Sequence, residues 1–471
     1  MYRSAPVVRT ATVATAVLAL TLTGCAGGVH GTPGGHGLRD AYFPKAGNGG
    51  YDVSHYGLTL DYDPARRHLT GTAVITARAA QDLSAFDLDL EGLDVHSVTV
   101  EGTPARFSRA GQELTVRPHD ELAQGETFAV TVRYSGTPRT ITDPDDSKEG
   151  WLPTADGALA LGEPTGSMAW FPGNDHPSDK AAYDVSVTVP KDLQAVSNGE
   201  LQSDTAVGGR RTYRWHTAEP MATYLATVAI GHFDITRSTL GDGLPVYVAV
   251  DPTQSEASRA VLAKLPEIME WEEHTFGPYP FSSAGVIVDR PGDAGYALET
   301  QNRPVFAGAP ELNTLVHELA HQWYGDSVTP RSWRDMWLNE GFATYASWLW
   351  DEDHGGDTCQ QTFDSLYRGD YFGDDADNKA LWSYPPARPS DAAHISDRPV
   401  YERGAMVLHK IRQLVGDDAF FGILRGWAAA HRHGNADTDE FTAYVEKTAP
   451  GKDFGPIWKN WLYGDGKPAR P

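Results

Sequence analysis

The sequence predicts a multidomain α+β protein, an antiparallel β-rich N-terminal half followed by a mainly helical C-terminal half. Three observations carry this. Apolar residues alternate with polar ones in short runs from about Tyr51 to Phe233. Beyond about Pro245 the apolar spacing changes to i, i+3, i+4, i+7. At 471 residues the chain is long enough for two cores.

The first element, residues 1–25, reads as an export signal. Arg3 and Arg9 give a positive start, and TATVATAVLALTLTG gives an apolar stretch too short for a permanent membrane span. It ends in Leu22-Thr23-Gly24-Cys25, which resembles the bacterial lipobox, so Cys25 is the expected lipidation site. Residues 26–48 are glycine-rich and without periodicity, as a flexible tether would be. The expectation is an exported bacterial protein, lipid-anchored on the outer face of the cytoplasmic membrane and touching the membrane through that anchor alone. Of two cysteines, the second, Cys359, is then left without a partner and reads as a structural thiol. A formal charge of −24 with no basic cluster argues against nucleic acid as a partner.

The β domain is expected over residues 49–238. Tyr56, Leu58, Leu60 and Tyr62 alternate, as do Phe86, Leu88 and Leu90; TFAVTVRYSG and AYDVSVTVP are β-branched runs between turn signals. Residues 239–471 form the second domain, opened by strands in AGVIVDR and PVFAG. A helix is expected around 311–325 from Leu312, Leu315, Val316, Leu319 and Trp323, and further helices in RGAMVLHKIRQLVG, DDAFFGILRGWAAAH and DEFTAYVEKTA. The acidic loops DPDDSKEG and GDYFGDDADN lack the alternating ligands of a calcium loop and read as solvated surface.

His317 and His321 stand four apart on that first helix, one turn above each other, and so can share one ion. Glu318 is turned away by about 100° and can hold a water beside the ion. Glu340, in WLNEGFATY nineteen residues after His321, is at a distance from which a second helix can return beside the first. Two imidazoles and a carboxylate leave one tetrahedral position open, the donor set of a catalytic zinc site with one Zn²⁺ per chain. The nearby tryptophans, Trp323, Trp333, Trp337, Trp348 and Trp350, read as packing between the two helices.

HELAH, the gap and WLNEGFATY resemble the aminopeptidase N-type gluzincins, the M-one peptidase family that also includes leukotriene hydrolase. WFPGNDHPSDKAAYDVSVTVP, MATYLATVAIGHFD and YERGAMVLH extend the resemblance over nearly the whole chain after the leader. It implies a thermolysin-like catalytic domain over 239–471 and a zinc aminopeptidase acting on peptides with a free N-terminus. It also implies roles: Glu318 as general base, Tyr401 as donor to the oxyanion, and Glu299, with Glu163, as the binding site of the substrate α-ammonium. Such an amine, with a pKa near 8, is mostly charged at neutral pH.

This chain departs from the family at Tyr296, Leu298 and Thr300 around Glu299, and at Leu161 where many relatives carry glutamine. The departures bear on which N-terminal residue fits. Larger relatives continue into a helical domain over the active site, and a chain ending at Pro471 is expected to have a more open cleft. Competing readings on the same fold are a zinc endopeptidase, a hydrolase of a non-peptide substrate, and a catalytically idle surface-binding protein.

Overall fold

The computed structural model describes residues 31–241 and 243–469. The expected signal and lipobox, with Cys25, lie outside the described residues. Among the described residues no helix is long and apolar enough to cross a membrane.

The β domain is built on an eight-stranded sheet whose central strands are Lys180–Pro190, Tyr51–Asp63, His68–Ala79 and Thr127–Gly136. The alternation in Tyr51–Asp63 is realised: Tyr56, Leu58, Leu60 and Tyr62 are all buried, and the residues between them face outward. Pairing in this sheet is antiparallel except between Lys180–Pro190 and Tyr51–Asp63, which run parallel. A five-stranded sheet, which includes Ala158–Leu161 and Val228–Gly231, and a smaller sheet around Leu83–Asp89 complete the domain.

The expected boundary at 238/239 falls inside a strand, Asp234–Leu240. That strand pairs with Leu244–Val250, which runs parallel to Ala284–Asp289, itself parallel to Val305–Ala307. It therefore belongs with the catalytic half. The helices Leu312–Ala320, Trp337–Asp353, Gly404–Val415, Asp417–Ala430 and Thr438–Thr448 follow.

Residues 31–48 are docked on the body, which corrects the expectation of a tether for that part of 26–48; residues 26–30 lie outside the described residues. Thr32–Pro33 runs parallel to Leu83–Asp89. The buried Asp40 carboxylate accepts from the Ser332 hydroxyl at 2.8 Å and the Trp333 amide at 3.0 Å, and its other oxygen from the amides of Tyr42 and Phe43. His176 of the β domain stands 3.4 Å away, and Tyr42 donates to the Pro389 carbonyl at 2.7 Å. Glycine-rich composition signals a linker because it lacks an apolar period. This segment docks by hydrogen bonds instead, which leave no such period.

Candidate active site

The histidine helix is held by Leu315, Val316 and Leu319, each at most 1% exposed. It ends sooner than the expected 311–325: helical pairing stops at Ala320, His321 caps it, and the chain turns at Gly325. Gly325 has φ +133°, and a Cβ there would stand 3.1 Å from the His321 ring. The turn thereby presents the Tyr324 carbonyl to His321 Nδ1 at 3.0 Å. A carbonyl can only accept, so the ring proton sits on Nδ1 and the Nε2 lone pair is free.

Glu340 lies in the first turn of the helix Trp337–Asp353, where the helix dipole favours a carboxylate. Its Oε2 is 3.0 Å from His317 Nε2 and 3.4 Å from His321 Nε2, and the two imidazole nitrogens are 3.1 Å apart. Donors about 2.0–2.1 Å from a tetrahedral ion stand roughly 3.3 Å from one another, so the three atoms fit a zinc-sized divalent cation. The histidines hold the Glu340 carboxyl well below its ordinary range against the opposing effect of burial.

Tyr401 sits on a wide helical turn, Pro399–Arg403, that leads into Gly404–Val415. Its ring lies parallel to that of His317, 6.0 Å between centroids. Two features put it there. Gly341 and Gly404 meet where the two helices cross, and a Cβ on Gly341 would come within 3.0 Å of the Gly404 backbone. Arg403, fully buried, donates to the carbonyls of Trp461, Tyr384, Asn460 and Gly464 and so fixes the turn. Sequence reasoning missed Arg403; its place beside Tyr401 in YERG was the only available signal.

Three further carboxylates converge on the same space. Ligand atoms of Glu163, Glu299 and Glu340 lie within 4.8 Å of one another, as do those of Glu299, Glu318 and His321. Glu163 Oε1, Glu299 Oε1 and Glu318 Oε2 are buried with no hydrogen-bond donor among the described residues. Burial pushes Glu299 up to about 7, with His321 opposing, and holds Glu318 and Glu163 well above the carboxylate range. The Glu299 backbone is fixed by Gln322, which donates to its carbonyl at 3.3 Å, and by the Leu298–Val305 pairing. Buried Arg303 ties this loop to the β domain through the carbonyls of Ser197 and Gly199.

These groups line a cleft of about 800 Å³ between the domains. Of the family departures around Glu299, only Tyr296 reaches it, with its hydroxyl 3.4 Å from the Glu163 carbonyl. Leu298, Thr300 and Leu161 are buried off the cleft. The loop DPDDSKEG, expected to be plain solvated surface, forms one wall through residues 143–148. None of the five tryptophans lines the cleft. They are buried, and several reach beyond the two helices: Trp323 packs on Phe276 and Tyr279, Trp333 on Phe43 and Tyr224, and Trp337 on Phe441. Cys359 is buried, and burial pushes its thiol up to about 12, as a structural cysteine requires.

The sequence matches the Peptidase M1 N-terminal domain over residues 52–225 and the Peptidase family M1 domain over residues 300–461. The M1 zinc metallopeptidase of Deinococcus radiodurans is 30% identical; the match covers 92% of this chain and 98% of that one, with a TM-score of 0.83. The chain belongs to peptidase family M1. Among its curated relatives are a probable aminopeptidase of Sulfurisphaera tokodaii, 27% identical over 88% of this chain and 54% of its own length, and the leukotriene A-4 hydrolase of Xenopus laevis, 25% identical over 89% and 72%. The chain spans about half the length of the first curated relatives it matches. Within the M1 frame His317, His321 and Glu340 are the residues that fit the zinc, with Glu318 and Tyr401 beside it.

Proposed function

We propose that this M1 chain is a zinc-dependent aminopeptidase that removes N-terminal residues from peptides outside the cytoplasmic membrane. One observation carries the exopeptidase reading: Glu163 Oε1 and Glu299 Oε1 are buried acceptors, close together, with no hydrogen-bond donor among the described residues. An α-ammonium brings three N–H donors and a positive charge to that spot, and draws both carboxyls into their ionised form. That a Deinococcus radiodurans relative binds a Tyr-Ser-Ala substrate supports peptides as the class.

His317, His321 and Glu340 would hold the zinc. Bound there, zinc supplies Lewis acidity, polarising the scissile carbonyl and lowering the pKa of the attacking water. Glu318, a carboxyl that burial holds well above the ordinary range, removes the water proton and delivers it to the leaving amine. The Tyr401 hydroxyl, held well above the ordinary tyrosine pKa by burial and by Glu340, keeps its proton and donates to the oxyanion. Glu299 and Glu163 fix the amine end, so that the first peptide bond is the one presented.

Location rests on the N-terminal sequence alone, the apolar stretch and the LTGC lipobox pattern with Cys25 as the lipid-bearing residue. The activity is tested with a panel of aminoacyl fluorogenic substrates, with and without chelator. Chelator-sensitive release from free-amine substrates is the expected result. Turnover that survives complete zinc removal refutes the reading.

A further inference from the structure

A second cluster of metal-ligating side chains lies in the β domain, away from the catalytic cleft. The strand Leu83–Asp89 pairs antiparallel with Glu113–Arg117, Asp87 facing Thr115 and Asp89 facing Glu113. Asp87 and Glu113 are thus diagonal neighbours on one face. The N-terminal segment runs along the other edge of Leu83–Asp89, parallel to it from Thr32, and brings His36 alongside Asp87. His36 Nδ1 is 2.8 Å from Asp87 Oδ2, and one ligand atom each from His36, Asp87 and Glu113 lie within 4.8 Å of one another.

We propose that His36, Asp87 and Glu113 form a second divalent-metal site, which pins the N-terminal segment to the β domain. Two carboxylates face a single imidazole, and the pairing is incomplete. Asp87 is 1% exposed, and its Oδ1 is buried with no donor among the described residues; Glu113 Oε2 is in the same condition. Lys45 lines the same cavity of about 580 Å³, but no ion pair among the described residues joins it to either carboxylate. A bound cation satisfies both orphaned oxygens and takes the place of the direct His36–Asp87 contact. Burial and the Asp87 charge push the Glu113 carboxyl up to about 7 against the lowering effect of His36 and Lys45. One nitrogen among oxygen donors selects a first-row transition ion such as zinc over calcium or magnesium, which prefer all-oxygen sets. His36 is largely exposed and the cavity opens to solvent, so water completes the coordination.

The test is zinc content per chain after equilibrium dialysis of wild type, His36→Ala and Glu113→Gln against one micromolar-range free zinc buffer, with peptidase activity followed in parallel. Neither residue lies near the catalytic cleft, so activity reports intact folding. Wild type should hold close to two zinc ions and each variant close to one, with activity within about twofold of wild type. Limited proteolysis should then cut the N-terminal segment faster in both variants than in zinc-loaded wild type. A wild type holding one zinc, a variant that keeps two, or variants that lose both metals and activity together would overturn the proposal.

Discussion

At the residue scale the proposed chemistry depends on Glu318 and Tyr401, single side chains beside the three donors. Glu318 lies off the three-donor cluster, so Glu318→Gln should keep its zinc and lose turnover. Metal content and rate measured on one preparation check this, and zinc lost in step with activity would contradict it. Tyr401→Phe should lower kcat by roughly 10²-fold to 10³-fold with little change in KM, because an oxyanion donor acts in the transition state. An effect confined to KM would make the hydroxyl a ground-state contact. The meeting of His317 with His321 was legible in the sequence because helical spacing alone brings them together. The meeting of Glu163 with Glu299 is different in kind. It joins two domains through a fold no local period encodes, so only the family resemblance pointed to it.

At the element scale, the positions of Glu340 and Tyr401 depend on how closely two helices approach. With a Cβ on Gly341 within 3.0 Å of the Gly404 backbone, Gly341→Ala should push Gly404–Val415 away and move Tyr401 off the zinc. The expected cost is about 1–3 kcal/mol of stability, with a drop in kcat at unchanged zinc content. Denaturant melts and metal analysis on the same variant check both. Helix existence was readable from apolar spacing, as Leu315, Val316 and Leu319 testify by their burial. The early end at Ala320 was not, because Trp323 continues the apolar spacing while Gly325 turns the chain beneath it. The tryptophans likewise announce burial without naming partners, and several pack on third elements.

At the scale of the whole molecule, the N-terminal segment clasps both domains through Asp40. Burial opposes its ionisation, yet hydrogen bonds from His176, Tyr42, Ser332 and Phe43 hold the carboxyl well below its ordinary range. A depressed folded-state pKa stabilises the fold above the unfolded value, about 3.9, and that contribution is lost as pH falls toward the folded value. Asp40→Asn should therefore cost about 1–3 kcal/mol at neutral pH and flatten the fall of stability below about pH 4. Thermal melts of both proteins across that range decide the point; parallel acid limbs would contradict it. The two-domain plan was visible from the change of periodicity, but the clasp was not, since one aspartate among glycines carries no pattern. The central claim, that the cleft reads a free N-terminus through Glu299, is tested most directly by a double perturbation. Free and N-acetylated forms of one peptide are cleaved by zinc-loaded wild type and by Glu299→Ala. If both changes remove the same ion pair, worth about 2–5 kcal/mol on truncation, each alone should slow cleavage strongly and the combination should cost little more than either. Equal cleavage of the acetylated and free peptides by wild type would contradict the account and make the protein an endopeptidase.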